Sequence, residues 1–374
     1  MTYVFLSYGY FPEFKSATDW LKKTTFYTGL LECLAKEHKV IYITQINANS
    51  YRLHHNVHYH FVNFEKRKNL FPLKINLFTK RLNPDVVIIQ GMHHPLQMIQ
   101  LRLLLKKRVK ILAQHHAEQP FKGIRKQLQK TAGHFADGFL FASMGIGMDW
   151  VKKGNISSPK KIFEVMEVSS LFYPGDKAEA KLITKVSGKL AFLWVGRLNE
   201  NKDPLNVVQA FLEFAKIKPG VRLYMIYHTH ELLSQLMQIL DDDANKAAVT
   251  LVGQVAHADL FFWYNSCDFI LSGSHYEGSG TAVCEAMSCG CIPVVTDISS
   301  FRMITDHGNY GLLYPAGNRE DLLSALLKTD ELDRVAMREK VLSQFRAKLS
   351  FDAIAKTIGD VVTALGNDNA NIQH

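Results

Sequence analysis

Cysteine is scarce in this 374-residue sequence. The five present are Cys33, Cys267, Cys284, Cys289 and Cys291. An odd number without framework spacing argues against a disulfide-stapled scaffold and for reduced thiols. They form no CxxC pair and have no matching histidine spacing, so no metal is expected there. Apolar runs of about eighteen residues are also missing, which argues against a membrane-spanning helix. The first residues, Met1 to Leu6, have neither a basic segment nor a cleavage site. No secretion signal is therefore expected, and the chain reads as cytoplasmic.

The chain has an uneven charge. Its formal net charge is +9. Residues 1–180 hold 26 Lys+Arg against 13 Asp+Glu, and residues 181–374 hold 18 against 22. The basic excess therefore lies in the first half, in clusters such as Lys66-Arg67-Lys68, Lys80-Arg81, Lys106-Lys107-Arg108 and the stretch from Lys122 to Lys130. Such a face is either simply solvated or attracts an anionic partner, whether an acidic membrane surface or a phosphate-bearing molecule. No helix-turn-helix, finger or stacking motif accompanies the charge, so nucleic acid is not the expected partner. The histidines at 54, 55, 58 and 60 read as surface residues, since no cysteine or carboxylate spacing completes a metal site with them.

The stretch from Asp268 to Asp297 organises the rest. Phe269 to Leu271 reads as a buried strand and is followed by a Gly/Ser-rich loop. A helix begins near Thr281 and ends at Cys289-Gly290, and Ile292 to Val295 forms a second buried strand. Strand–loop–helix–strand is the repeating unit of a parallel sheet. Glu277 and Glu285 frame the loop with seven residues between them. Gly278, Ser279 and Gly280 allow close approach of backbone to a ligand. The helix start at Thr281 offers N–H groups and a positive dipole end to an anion. A ligand with a diphosphate and several hydroxyls would use all of these groups.

A second element carries cations. Leu190 to Val195 reads as a strand, and the loop from Gly196 leads into a helix with Asp203 as its N-cap and Pro204 at its first position. Arg197 and Lys202 then lie beyond a strand's carboxyl end and near a helix start, the ingredients of a diphosphate site.

Together these strings (Glu277 to Glu285 with Gly278-Ser279-Gly280 between them, Glu285-Ala286-Met287, Cys289-Gly290, Pro293-Val294-Val295, and Gly196-Arg197-Leu198 with Lys202) resemble the retaining GT-B glycosyltransferases, most closely their large family 4 (glycosyl transferases group 1). The resemblance implies an α/β chain of two Rossmann-like domains facing a central cleft, with a C-terminal helix crossing back to the first domain. The expected divisions are 1–172 on the acceptor side, 173–350 on the donor side, and 351–374 as the returning helix with a polar tail over 366–374. Along the first domain, strands are expected near Tyr3 to Ser7, Val40 to Thr44, Val86 to Gln90, Val109 to Gln114, Asp137 to Ala142 and Lys161 to Met166. Tyr8 to Pro12 reads as a loop, Thr24 to Lys36 as a helix, and residues 51–68 as irregular or a short strand. Gly175 to Lys189 reads as a polar stretch, Thr229 to Leu240 as a helix, and the aromatic run Phe261 to Tyr264 as core. The first loop lacks the glycine pair that family members often carry there.

By the same resemblance the reaction moves a sugar from a nucleotide diphosphate sugar to a hydroxyl acceptor, with retention. The acceptor would be a glycan, a lipid-linked molecule or a small molecule, in glycan or surface polysaccharide synthesis. Arg197, Lys202, Gly280 and Thr281 would steady the departing diphosphate. Glu277 would position the sugar hydroxyls, Glu285 the ribose, and Val255 the base. His116, with its neighbour His115 as the open alternative, would contact the sugar from the first domain. No metal and no cofactor are expected, because cations and dipoles supply the charge. The alternatives are another GT-B enzyme, such as a sugar-nucleotide epimerase or phosphorylase, or a silent nucleotide-sugar or glycan-binding protein. Peripheral contact with an anionic inner membrane surface would suit the basic half.

Overall fold

Several strands are buried along their whole length: Val86–Gln90, Lys110–Gln114 and Ile292–Thr296. A strand covered on both faces has no polar side, which is the signature of a parallel sheet sandwiched by helices. The computed structural model describes residues 1–64 and 72–370, and the chain divides into two units. Unit 1 comprises residues 1–169 and 351–374, and unit 2 comprises Ser170–Ser350.

Unit 1 runs β1 (Thr2–Phe11), α1 (Ala17–Lys23), α2 (Thr25–Leu34), β2 (Lys39–Ile46), β3 (Ser50–His54), β4 (Val57–Val62), α3 (Leu73–Arg81) and β5 (Val86–Gln90). It continues through α4 (Pro95–Leu104), β6 (Lys110–Gln114), α5 (Gly123–Ala132), β7 (Gly138–Phe141), α6 (Met144–Lys152) and β8 (Ile162–Glu164). The sheet order is β3-β4-β2-β1-β5-β6-β7-β8. All pairings are parallel except β3 with β4. Unit 2 runs α7 (Lys177–Thr184), β9 (Leu190–Gly196), α8 (Pro204–Ile217), β10 (Val221–Tyr227), α9 (Leu233–Asp241), β11 (Val249–Gly253), α10 (Leu260–Ser266) and β12 (Phe269–Ser272). Then follow α11 (Thr281–Ser288), β13 (Ile292–Thr296), α12 (Ser299–Ile304), β14 (Leu312–Tyr314), α13 (Arg319–Lys328) and α14 (Arg334–Gln344). Its wholly parallel sheet is ordered β11-β10-β9-β12-β13-β14. Counted within each unit, the strand order reverses beside the first strand, between β1 and β5 and between β9 and β12. This is the doubly wound arrangement, which opens a crevice at the carboxyl ends of the strands at that reversal.

The last helix, α15 (Phe351–Ala370), belongs to unit 1. Gly29 in α2 leaves the space that the Phe351 ring fills, since a Cβ there would come within 2.5 Å of that ring. Lys36 Nζ lies 2.7 Å from Asp352 Oδ1, and Lys110 Nζ donates to the Leu365 carbonyl at 2.6 Å.

The structure corrects several local expectations. Strand β1 continues through the supposed loop to Phe11. The first loop gives way to α1, capped by Ser16, whose Oγ accepts from the Asp19 N–H at 3.1 Å. Residues 50–62 form a hairpin whose turn residues, His55 and Asn56, have φ of 46° and 63°. Two positive φ values in a row match the twist of an antiparallel pair. The polar stretch at 175–189 contains α7, capped by Asp176, whose Oδ1 accepts from the N–H groups of Ala178 and Glu179. Of the aromatic run only Tyr264 is fully buried. Helix α15 reaches Ala370, so the expected polar tail begins inside it, and 371–374 lie outside the described residues, as does the Lys66-Arg67-Lys68 cluster.

Candidate functional site

Unit 2 has a cavity of about 480 Å3 at the carboxyl ends of β9, β10, β11 and β12. Its walls include Val195, Gly196 and Arg197 after β9, Tyr227 and His228 after β10, and Gln254, Val255 and His257 after β11. Ser272 and Glu277 follow β12, and Gly280, Thr281, Ala282 and Val283 supply the start of α11. Most of the predicted residues thus meet at one place.

Two loops are locked together to build the charged wall. The Asn201 side-chain amide donates to the Tyr276 carbonyl at 3.0 Å, and its Oδ1 accepts from the Tyr276 N–H at 3.1 Å. The His275 N–H donates to the Asn201 carbonyl at 2.8 Å. This brace brings Lys202 onto Glu277, and the two form an ion pair inside the cavity. Arg197 is exposed and makes no ion pair among the described residues. Asp203 occupies the N-cap position of α8, but with φ of 48° and no side-chain cap bond. A 3-10 turn over Glu200–Lys202, capped by Asn199, rotates it away, and its carboxylate lies 3.4 Å from His275 Nε2.

Gly280 is the hinge of the helix start. Its φ is +62°, and an added Cβ would lie 2.7 Å from the Phe301 ring and 3.1 Å from Ile304 Cδ1. Only glycine takes that conformation and that approach without strain. The N–H groups of Thr281 and Ala282 have no acceptor within the helix, and both residues line the cavity. With Arg197 beside them they form an anion-attracting end.

Three of the residues predicted to bind the donor stand apart from this cavity wall. Gly278 and Ser279 are buried and are not part of its lining. Glu285 does not face the cavity but is 4% exposed, with Oε1 at 2.8 Å from His257 Nε2 and Oε2 accepting from the Tyr264 hydroxyl at 2.9 Å. It reaches the cavity only through His257. The hydrogen bond to Glu285, and then its charge, raise the His257 imidazole above its usual range against the opposing effect of burial. Gln254, His228, His257 and Phe301 were not singled out from the sequence. His228-Thr229-His230 directly after a buried strand was the readable signal. Thr229 Oγ1 accepts from the Leu198 N–H at 2.8 Å, which ties this segment to the cavity loop and delays α9 to Leu233.

Unit 1 has its own cavity, about 370 Å3, where Ser7, Gln90, Gly91, His94, His116, Glu118 and Glu167 meet five aromatic rings. Of the two neighbouring histidines, His116 lines this cavity. His115 is 1% exposed, stacked on Phe141 and bonded to the Glu118 carbonyl at 3.0 Å. The His116 ring is held at both nitrogens: Nδ1 by Glu167, and Nε2 by Gln90 Oε1 at 3.0 Å. Burial acts to lower its pKa, but the charge and hydrogen bond of Glu167 and the charge of Glu118 leave it raised. Glu118 holds the loop by accepting from the Met92 N–H at 2.8 Å and the His116 N–H at 2.5 Å.

His94 titrates the other way, with burial lowering its pKa to about 4. A depressed value means that the unfolded chain binds a proton that the folded chain refuses. The stabilisation is complete above about pH 6.5 and is lost as pH falls toward 4. Its size is on the order of 2 kcal/mol after allowance for partial exposure. The drop in thermal midpoint between pH 7 and pH 4.5 is therefore expected to be smaller in His94→Gln than in the parent. Equal drops would remove His94 from the acid sensitivity.

The expectation that no carboxylate completes the histidine cluster is corrected by the fold. Glu32 of α2 comes to His54 and His55, with possible ligand atoms all within 4.8 Å of one another. The group lines neither cavity. Cys267, Cys284, Cys289 and Cys291 are free and buried, and burial raises all four thiols. Among the described residues, no helix is long and apolar enough to cross a membrane.

Residues 176–341 match the family model described as glycosyl transferases group 1. A mannosylfructose-phosphate synthase of Agrobacterium fabrum is 26% identical over 190 residues, 48% of this chain and 42% of that protein. A D-inositol 3-phosphate glycosyltransferase of Saccharomonospora viridis is 26% identical over 183 residues, 46% and 40% respectively. The chain thus spans less than half the length of these curated relatives. Among solved structures, a sucrose-phosphate synthase from Thermosynechococcus elongatus superposes with TM-score 0.70 at 17% identity, covering 97% of this chain and 98% of that one. Anabaena HepE in complex with UDP gives 0.73 at 13% identity, covering 97% and 100%. These structural likenesses establish a GT-B fold. Residues 176–341, most of its second unit but less than half of the chain, are similar to the glycosyl transferases group 1 family.

Proposed function

We propose that this protein transfers a sugar from a nucleoside diphosphate sugar to a hydroxyl acceptor, with retention at the anomeric carbon. One observation carries the reading: Arg197, the Lys202–Glu277 pair and the open start of α11 converge on one cavity at the strand reversal of unit 2. An incoming diphosphate competes with Glu277 for Lys202, so binding frees the Glu277 carboxylate for the hydroxyls of the sugar. Arg197, Lys202 and the Thr281 N–H then oppose the charge that grows on the departing diphosphate, the kind of preorganised electrostatics that dominates such steps. Val255 lies after β11, where it would flank the base. Glu285 would act on the ribose through His257, its hydrogen-bonded partner at the cavity wall. His116 would reach the sugar by exchanging Gln90 for a sugar hydroxyl at Nε2. Anabaena HepE has been crystallised with UDP and with UDP-glucose, which makes uridine donors the first to try.

The test is a panel of nucleoside diphosphate sugars, read by thermal shift and by release of free nucleoside diphosphate with and without hydroxyl acceptors. One donor should raise the midpoint, since a ligand that binds only the folded state stabilises it by mass action. Release should require an acceptor and should persist in EDTA, because protein cations supply the charge. Release that depends on an added divalent ion would overturn the metal-free mechanism, and no shift with any donor would overturn the transferase reading.

The exposed surface of α5 suits a peripheral membrane role in the same reading. Lys122, Arg125 and Lys130 are exposed beside Ile124, which is 87% exposed, and no acidic residue lies between Glu118 and Asp137. The protein is expected to sediment with vesicles rich in anionic lipid and to be released at high salt. Equal sedimentation with neutral vesicles would argue against it.

A further inference from the structure

The four histidines between residues 54 and 60 separate into two pairs in the fold. His58 Nδ1 is hydrogen-bonded to the Tyr51 hydroxyl at 2.9 Å, and the His60 ring packs edge-on to Phe78 at 5.0 Å between centroids. His54 and His55 have a different setting. Neighbours in a strand point to opposite faces. The left-handed step at His55, with φ of 46°, ends that alternation, and the two rings stack with centroids 4.0 Å apart. The hairpin turn thus presents two imidazoles side by side.

Glu32 comes to them from α2. Its Oε1 lies 2.9 Å from His55 Nδ1, and its side chain is 28% exposed. Lys36, one turn further along the chain, is drawn to Asp352 instead. Among the described residues no lysine or arginine pairs with the Glu32 carboxylate, so the imidazoles are its company. Ligand atoms of the three side chains all lie within 4.8 Å of one another. Two imidazole nitrogens and one carboxylate oxygen are a zinc donor set, with a fourth position left to water. Magnesium and calcium prefer oxygen ligands throughout. Around a tetrahedral Zn2+ with bonds of about 2.0–2.1 Å, ligand atoms stand roughly 3.3 Å apart. Both imidazoles are exposed, so rotation about their side-chain bonds can close the remaining gap.

We propose that Glu32, His54 and His55 form a zinc site that fastens the hairpin of β3 and β4 to α2. A hairpin by itself is only marginally stable, and β3 pairs with β4 alone at the edge of the sheet. The metal cross-links that edge to a helix on which α15 also packs. The three residues line neither cavity, so the role is structural and stands apart from the sugar transfer. The inference does not depend on the transferase reading.

The experiment uses the whole chain without a polyhistidine tag, stripped with EDTA and dialysed. Zn2+ is then titrated by calorimetry and by thermal shift, with Mg2+ as the control. The expected result is saturable binding of one Zn2+ and a midpoint that rises with it, since a ligand of the folded state stabilises by mass action. Mg2+ should do neither. His55→Asn is chosen because asparagine tolerates the left-handed turn, and Glu32→Gln because it keeps the size of the side chain. Each should weaken zinc binding at least about tenfold, since even the loss of a hydrogen bond supporting a ligand typically costs 10–100-fold. Their metal-free midpoints should stay near that of the parent, which shows that they fold. Co2+ in place of Zn2+ should give the visible absorption of a four-coordinate ion in the parent and not in the variants. Zinc binding that either variant leaves unchanged would overturn the site and assign the ion to other histidines. No saturable zinc binding in the parent would overturn it as well.

Discussion

Replacing Lys202 with alanine is expected to lower turnover by about 10^2–10^3-fold, the usual loss when one preorganised charge partner of a transition state is removed. The effect has two parts here. The cation leaves the diphosphate, and the Glu277 carboxylate, with its side chain 15% exposed, is left without its ion-pair partner. A bare carboxylate repels the donor it should orient. Glu277→Ala is expected to cost a similar factor while leaving the thermal midpoint nearly intact, since the braced loops are held by Asn201 and not by the ion pair. The double variant should lose less than the product of the single losses, because removing both charges removes the repulsion as well. Steady-state kinetics of the three variants on one donor check this. Full additivity would show that Lys202 and Glu277 act separately, and unchanged turnover in Glu277→Ala would take that residue out of the mechanism.

Gly280→Ala is the second large effect. The left-handed backbone at φ +62° costs an alanine about 1–2 kcal/mol. The added methyl overlaps the Phe301 ring at 2.7 Å and crowds Ile304, and overpacking of this kind costs about 1–3 kcal/mol more. The sum, about 2–5 kcal/mol, lowers the thermal midpoint of a unit this size by roughly 5–15 °C. Relief of the clash also turns the N–H groups of Thr281 and Ala282, so donor affinity should fall in the fraction that stays folded. Gly359→Ala is the internal control. Gly359 lies inside α15 with open space at its Cβ position, and the same methyl there should stabilise by about 0.5–1 kcal/mol. Two glycine-to-alanine changes of opposite sign test the local geometry; equal midpoints for both would refute the assigned backbone at Gly280.

Much of the unit 2 cavity was readable because its groups are close in sequence to the elements that place them. Arg197 follows β9 and Glu277 follows β12, and in a parallel sheet both strands end on the same edge. The glycines and the helix start at Thr281 declare their purpose through backbone chemistry alone. The misreadings have local causes. The capping residues Ser16 and Asp176 were present, but polar composition hid α1 and α7. Asp203 has the residue type of a cap, yet the turn capped by Asn199 rotates it out of that role.

By itself the sequence determined that the chain is built from alternating strands and helices, that two groups of cations and carboxylates stand at strand ends, and that a glycine must open α11. These are short-range matters, set by periodicity, turn chemistry and charge within a few residues. Only tertiary structure decided that Lys202 pairs with Glu277 across 75 positions, that Glu285 turns inward to His257 and Tyr264, and that the five rings between Phe11 and Tyr42 share a cavity with Gln90, His116 and Glu167. Such pairings depend on which strands become neighbours in the sheet, and that is settled by burying whole faces at once.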